Sequence, residues 1–319
     1  MILVAGSVNI DFAVQVQALP SPGETVLGGP YRVSPGGKGA NQAVASARAG
    51  ARVCFVGCVG TDDHGQQLRQ ALDAEGIDTA YLRSVADQTG AAFVTVGADG
   101  ENAIAVSSGA NRALQASDLP ELGGVTHLIL QLESPRDAIC AFAQAAHRAG
   151  VHITLNAAPA QALDDGLLRL VDLLIVNAGE LETLCGPQVG RDLESQLKVM
   201  AGRGPHAIVV TLGADGAAVW ANGQFHRTAA FNVPVVDTTG AGDTFVGVLV
   251  ASLPHMDLAS AAQRASAAAA LTCTRSGAQI SMPHSPAIEQ LLTTARVEHA
   301  PLTAKGGGDL PAALVLENL

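Results

Sequence analysis

The 319-residue chain predicts an α/β fold, a doubly wound and mostly parallel sheet flanked by helices, with a small antiparallel β lid. Three observations carry it. Short β-branched runs alternate with Ala-rich segments of helical length. Those runs are apolar throughout, as strands buried on both faces are. Two stretches break the alternation with Pro/Gly-rich or hairpin patterning.

In chain order, residues 2–8 form the first buried strand, which delivers Asn9 and Asp11. Residues 12–33, rich in Pro and Gly, supply half of the lid. A glycine loop then enters a helix over 40–49, followed by a strand over 53–57 and a helix over 65–75. Phe93-Val94-Thr95-Val96 and Ala103-Ile104-Ala105-Val106 flank Asp99-Gly100, a hairpin signal, so 91–107 supplies the other half of the lid. A strand over 127–132 delivers Glu133, and a helix over 136–149 leads to a strand over 153–156. The strand over 173–176 delivers Asn177, with Glu180 three residues on. A helix over 192–203 leads to a strand over 207–212 that runs into Gly213–Gly216, and the apolar run 246–253 follows Asp243. One domain is therefore expected over 1–298, with its lid split between about 12–33 and 91–107. The stretch 299–319 reads as an irregular tail: Lys305-Gly306-Gly307-Gly308-Asp309 has linker composition, and Glu317-Asn318-Leu319 matches the start of a protease-site tag.

Composition narrows the function. Hydrophobic residues make up 48% and charged residues 15%, yet no 18 apolar residues run together, so no membrane span is expected. Eighteen Lys plus Arg against 29 Asp plus Glu give −11, the wrong sign for general nucleic-acid or anionic-membrane binding. The five cysteines are odd in number and scattered, with Cys54 to Cys58 too wide for a redox pair, and read as buried thiols. Met1–Gly6 lacks the basic start of a secretory signal, which makes the cytoplasm the expected compartment.

Two glycine loops carry the chemistry. In Asp237-Thr238-Thr239-Gly240-Ala241-Gly242-Asp243-Thr244-Phe245, two glycines admit a ligand close to backbone, and a helix starting there presents free N–H groups to an anion such as phosphate. Asp243, just inside that helix, is placed to take a proton from a hydroxyl attacking the phosphate. The alternative is an ordinary loop with an acidic first turn. Pro35-Gly36-Gly37-Lys38-Gly39-Ala40-Asn41-Gln42 is a second such loop. It is not a phosphate loop of the G-x-x-x-x-G-K-[ST] type, because Gly39 follows Lys38. Lys38 and Asn41 are hydrogen-bond donors suited to a polyol, or else residues of a structural turn. Asn9, Asp11, Glu133, Asn177 and Glu180, each at or just beyond a strand end, point to a polar ligand site at one edge of the sheet.

Together these segments resemble the ribokinase-like (phosphofructokinase-B) family of carbohydrate kinases, over residues 2 to about 287. The resemblance rests on Gly36–Ala43, Asp237–Phe245, Gly6-Ser7-Val8-Asn9-Ile10-Asp11 and Gln131-Leu132-Glu133, in that family's order. It implies ATP-dependent phosphorylation of D-ribose at the 5-hydroxyl, giving ribose 5-phosphate and ADP. Asp243 would be the base and Gly240, Ala241 and Gly242 the anion hole. Asn9, Asp11, Gly37, Lys38, Gly39, Ala40, Asn41 and Glu133 would hold the sugar. Asn177, Thr211, Leu212, Gly213, Ala214, Asp215, Gly216, Gly242 and Ser266 would contact ATP. Glu180 would organise Mg²⁺ through water, and Asp237, Thr239, Thr272, Arg275, Gly277 and Ser281 would hold K⁺, partly through backbone carbonyls. The resemblance further implies a homodimer formed through the lid. Ser266 stands where His beside adenine is frequent, Val246 where Asn is, and Ala157-Ala158-Pro159 where Pro-Ala-Pro is.

Other substrates within the family are a nucleoside, deoxyribose or a sugar phosphate. A sugar phosphate asks for extra cations, and between Asn9 and Asn41 only Arg32 and Lys38 are available. A nucleoside asks for a stacking platform, for which Phe12, Tyr31 and Phe93 are the candidates. A non-catalytic sugar-binding protein on the same scaffold could dispense with Asp243 and the anion hole.

Overall fold

Runs of four or five β-branched and apolar residues bury both faces, so they stack side by side in the middle of the molecule while the Ala-rich helices cover them. The computed structural model describes residues 1–298 apart from 100, 188 and 191. The expected tail at 299–319 and Gly100 of the expected hairpin turn lie outside the described residues.

The chain runs β1 (Ile2–Ala5), β2 (Asn9–Gln15), β3 (Arg32–Gly36), α1 (Lys38–Arg48), β4 (Val53–Gly60), α2 (Asp63–Ala74), β5 (Asp78–Val85), β6 (Gly90–Val96) and β7 (Asn102–Ser107). It continues through β8 (His127–Leu130), α3 (Arg136–Arg148), β9 (His152–Asn156), α4 (Asp165–Leu168), β10 (Leu173–Asn177), α5 (Ala178–Cys185), α6 (Leu193–Ala201) and β11 (Ala207–Thr211). It ends with β12 (Ala217–Ala221), β13 (Gln224–Thr228), α7 (Ala241–Ser252), α8 (Leu258–Cys273) and α9 (Ser285–Glu298).

Nine strands form the main sheet in the order β13-β12-β11-β10-β9-β8-β1-β4-β5, parallel except for the two pairings of β12. Period-two alternation sends Ile2, Val4 and Phe55 to a core beneath α1, α7 and α8, and Leu3, Ala5 and Val56 to a second core beneath α3 and α6. The order reverses between β1 and β8, because the chain first works outward through β4 and β5 and then returns. Ligands of doubly wound sheets gather beyond the strand ends at such a switch point.

A second sheet of four strands, β3-β2-β6-β7, forms the lid. Its outer pairings are antiparallel, but β2 and β6 run parallel, with Asp11 opposite Ala92 and Phe12 opposite Phe93. The first strand is shorter than expected. It ends at Ala5, and Asn9 and Asp11 belong to β2 of the lid. The break at Gly6 comes from close backbone packing, because a side chain on Gly6 would collide with Gln131 and one on Gly39 with the Gly6 backbone. The cysteines also depart from expectation. All five are unpaired, but only Cys54 and Cys58 are fully buried, since Cys140, Cys185 and Cys273 lie on helices with one side toward solvent.

Most helix starts fall into two kinds, α3 after Pro135 being a third, with no side-chain cap. Asp62, Asp164, Asn177, Asp192 and Asp257 each accept a hydrogen bond from the backbone three residues on, capping α2, α4, α5, α6 and α8. Helices α1 and α7 start instead at Gly37 (φ 88°) and Gly240 (φ 77°), with no side-chain cap. Their first-turn amides are left for another partner.

Candidate active site

The site is assembled from the ends of β1, β8 and β10, the lid, and the two glycine-headed helices. Past Gly6, the Ser7 carbonyl accepts Ala40 N–H (2.9 Å) and its hydroxyl donates to Glu133 Oε2 (2.6 Å), which also receives Lys38 N–H (3.3 Å). Asn9 follows, its Oδ1 receiving Asn111 Nδ2 (2.7 Å), while Asn111 Oδ1 accepts Val8 N–H (2.9 Å). Gly37 needs its positive φ, and any side chain there would press on Val8 and Asn9. Asp11 has a buried Oδ1 with no partner. Burial first, then Glu133 and Asp243, push its carboxyl up to about 7. A cleft of about 500 Å³ opens here, lined by Ser7, Asn9, Val106, Asn111 and Glu133, with Arg112 and Arg136 also on its wall.

Helices α1 and α7 touch at Gly247, where a side chain would run into the Gln42 carbonyl and Ala45. This contact brings Asn41 and Gln42 to Asp243. Asp243 is 9% exposed; its Oδ2 accepts Asn41 Nδ2 (2.9 Å) and its Oδ1 accepts Gln42 Nε2 (2.9 Å). It faces a second cavity of about 150 Å³, shared with Lys38, Asn177, Glu180, Thr211, Gly240, Gly242 and Val246. Lys38 thus lines this cavity and not the larger cleft. Asp243 raises the Lys38 pKa above the usual lysine value, with burial opposing and Glu133 and Glu180 adding, so the ammonium stays charged. Burial raises the Glu180 carboxyl, against the Asn177 amide and Lys38, which lower it.

Of the expected anion hole, the Ala241 amide is engaged by the Thr238 carbonyl (3.2 Å). Gly242 stands in the first turn with open space where a side chain would be. Asn177 and Glu180 form a reciprocal capping box, each backbone N–H donating to the other's side chain at 2.8 Å. Thr211 ends β11, and Leu212 to Gly216 close a tight turn through Leu212 N–H to the Gly216 carbonyl (2.8 Å). Gly213, Ala214 and Asp215 form its 3₁₀ turn. Ser266 is buried in α8, its hydroxyl donating to the Ala262 carbonyl (2.9 Å).

Asp237 accepts from Thr239 N–H (2.9 Å), Thr239 Oγ1 (2.6 Å), Gly277 N–H (2.8 Å) and Ser276 Oγ (3.3 Å). Burial raises its carboxyl, and these donors together outweigh it and leave it below the usual range. Arg275 is exposed and not among its partners. Thr272 donates to the Ala268 carbonyl (3.1 Å) and Ser281 to those of Gly277 (2.6 Å) and Ala278 (2.7 Å).

Ser7, Gln42, Asn111, Gln131, Asn156 and Gln279, which are not among the residues expected to touch a ligand, hold the named residues in place. Gln42 and Gln131 fall inside the quoted motifs, so their signal was their position. Asn156 Oδ1 shares Gln42 Nε2 (3.0 Å), and Gln279 Nε2 donates to Asn41 Oδ1 (3.0 Å).

Residues 1–285 match the pfkB family of carbohydrate kinases. The chain belongs to that family. This pfkB kinase is 40% identical over 289 residues to the ribokinase of Haemophilus influenzae, covering 88% of its own length and 94% of that protein's. Its fold superimposes on a ribokinase of Thermotoga maritima with a TM-score of 0.83 at 33% identity, over 92% of this chain and 99% of that one. The structure of Arabidopsis thaliana ribokinase complexed with ribose and ATP gives a TM-score of 0.83 at 31% identity, over 91% and 98%.

Proposed function

We propose that this kinase transfers the γ-phosphoryl group of ATP to the 5-hydroxyl of D-ribose, releasing ribose 5-phosphate and ADP. The observation that carries this reading is the placement of Asp243. It is a buried carboxylate in the first turn of a glycine-headed helix, fixed through both oxygens by α1 and open to a cavity shared with Lys38 and Gly242.

The large cleft suits a hydroxyl-rich acceptor. Asn9 and Glu133 line it, and Asp11 sits on the lid face that carries Val106, across Ala92. Asp243 accepts the 5-hydroxyl proton as that oxygen bonds to phosphorus and the bond to ADP breaks. The first-turn amide of Gly242 and the Lys38 ammonium face the charge that spreads over the phosphoryl oxygens. On the nucleotide side, Asn177 and the 211–216 turn border the smaller cavity or flank it.

Glu180 fits the task of organising Mg²⁺. Its Oε2 is taken by Asn177 N–H, its Oε1 carries no hydrogen bond, and it lines the same cavity as Gly242. When bound, Mg²⁺ neutralises charge on the phosphate oxygens. The Asp237 cluster fits K⁺, because that carboxylate has no cationic partner among the described residues and the Thr239, Thr272 and Ser281 hydroxyl oxygens and the Gly277 carbonyl belong to the same set. We further assign a homodimer through the lid, and the cytoplasm, which the unpaired cysteines support, as compartment.

A nucleoside acceptor is disfavoured by a specific contact. The Phe12 and Phe93 rings stack on each other at 5.4 Å and 11°, and none of Phe12, Tyr31 and Phe93 lines the cleft. The test is turnover with ribose, deoxyribose, hexoses and nucleosides, by the wild type and Asp243→Asn. Ribose should give the highest kcat/KM, and the variant should lose about 10²- to 10⁴-fold in kcat while still binding both substrates. Near wild-type turnover by the variant removes Asp243 as base.

A further inference from the structure

An ionised carboxylate only accepts hydrogen bonds, whereas a primary amide has a donor end and an acceptor end. The two amides that meet Asp243 must therefore present N–H₂ to it. Their far ends then carry oxygens that need donors, and here another side-chain amide supplies each of them. Asn41 Oδ1 receives Gln279 Nε2 at 3.0 Å, and Gln42 Oε1 receives Gln131 Nε2 at 2.7 Å. All four amides are buried.

Two rows of amides thus converge on one carboxylate, Gln279–Asn41–Asp243 and Gln131–Gln42–Asp243, each with its donors pointing toward it. The glutamines come from opposite sides of the site, one just past β8 and the other from the 3₁₀ turn before α9. Neither is loosely held. Arg48, at the far end of α1, donates to the carbonyls of Gln279 (2.6 Å) and Met282 (2.8 Å), which ties Gln279 back to the helix that carries Asn41. Gln131 is wedged against Gly6, and its Oε1 is buried with no donor at all. An orphaned buried carbonyl is disfavoured, yet turning Gln131 over would turn Gln42 with it and set an amide oxygen against Asp243.

We infer that Gln131 and Gln279 are positioning residues for the phosphoryl transfer: they hold Gln42 and Asn41 donor-first toward Asp243, which keeps that carboxylate ready to accept the sugar proton. The inference rests on Asp243 being the base, and the experiment separates the two. Gln279→Glu and Gln131→Glu keep the side-chain shape but replace the donor with an acceptor, which draws the neighbouring amide's N–H₂ away from Asp243. Gln279→Met and Gln131→Met remove donor and acceptor at similar length. We expect the Glu variants to lose about tenfold or more in kcat and the Met variants about threefold, with KM for ATP changed less than about twofold.

Losses of equal size in Glu and Met variants, or a KM for ATP that moves as much as kcat, would mean simple packing and overturn the inference. Wild-type kcat in all four would do the same. Thermal melting checks that each variant folds, and if Gln131→Glu does not, Gln279→Glu against Gln279→Met decides. Asp243→Asn run alongside keeps the failures distinct: if it stays active the base is wrong, and if it is inactive while the glutamine variants behave as wild type, only the positioning role is lost.

Discussion

Asp11, proposed to hold the sugar, costs the folded chain stability as pH rises. Its carboxyl, pushed up to about 7 by burial and by Glu133 and Asp243, holds a proton in the folded state over a range where the unfolded chain has released it. The sign follows from proton counts. Its contribution is complete below the unfolded value of 3.8 and is lost as pH rises toward about 7, at a slope of up to about 1.4 kcal/mol per pH unit. Asp11→Asn, neutral at every pH, should therefore melt higher than wild type at pH 8 in the absence of sugar and close to it at pH 4. At pH 8, where wild-type Asp11 is ionised, the same variant should bind ribose about tenfold or more weakly, since it loses a charged acceptor in a buried site, with ATP binding unchanged. Calorimetry of unfolding and of ribose binding checks both halves; a variant that melts lower at pH 8 refutes the first. Asp243 and Lys38 were legible in the sequence because each sits in a glycine loop that enters a helix, and Asp11 because it is a charged residue just past an apolar strand. Gln42, Gln131 and Gln279 were not, because an amide carries no charge and its meaning here lies in which end faces which neighbour.

At the scale of elements, the two glycine-headed helices explain why the site lies where it does. Five other helices cap themselves with Asp or Asn, whereas the first-turn amides of α1 are met by Ser7 and Glu133 and α7 brings Gly242 to the smaller cavity, and Gly247 lets the two helices approach until Asn41 and Gln42 reach Asp243. The central parallel strands and the loops into α1 and α7 were legible, since apolar runs and paired glycines survive in any context. The edge strands β5, β12 and β13 were not. Ala217–Ala221 is Ala-rich enough to read as helix, and Asp78–Val85 is half exposed and lacks a clean alternation, so pairing at the sheet edge decides both. The loop from Asp237 to Gly240 joins the proposed cation site to α7. Asp237 is held by Thr239, Ser276 and Gly277, all neutral, and a cation beside it would fix the turn before charge develops on the phosphoryl group. Activity in Tris buffer should rise with K⁺ and much less with Na⁺ at matched ionic strength. Equal kcat/KM with K⁺, with Na⁺ and with neither would remove the cation while leaving Asp243 in place.

The lid bears on the whole molecule. Among the described residues its strand β7 pairs only with β6, and every residue from Asn102 to Ser107 is exposed. Ile104 and Val106 are 56% and 50% exposed, with Phe93 at 53% on the opposite face of the sheet. An edge strand with free backbone groups and apolar side chains on both faces invites pairing, and proteins normally blunt or cover such edges. Here β7 carries no Lys, Pro or bulge to blunt it. A second copy of the chain is the occupant that supplies a matching apolar lid without any other protein, and a two-fold pairing would close both lids at once. The consequence reaches the site, because Val106 lines the cleft proposed for the sugar and Asp11 shares its sheet face. Light scattering at micromolar concentration should therefore give twice the mass of one chain. Ile104→Lys, on the lid but away from the cleft wall, should shift it to the monomer mass and raise KM for ribose several-fold, because an unsupported lid holds Asp11 and Val106 less firmly over the sugar. Wild type at the mass of a single chain would refute the dimer. A monomeric Ile104→Lys with unchanged KM would show that the lid is ordered by the main sheet alone, through Phe12 packed edge-on against His64 of α2.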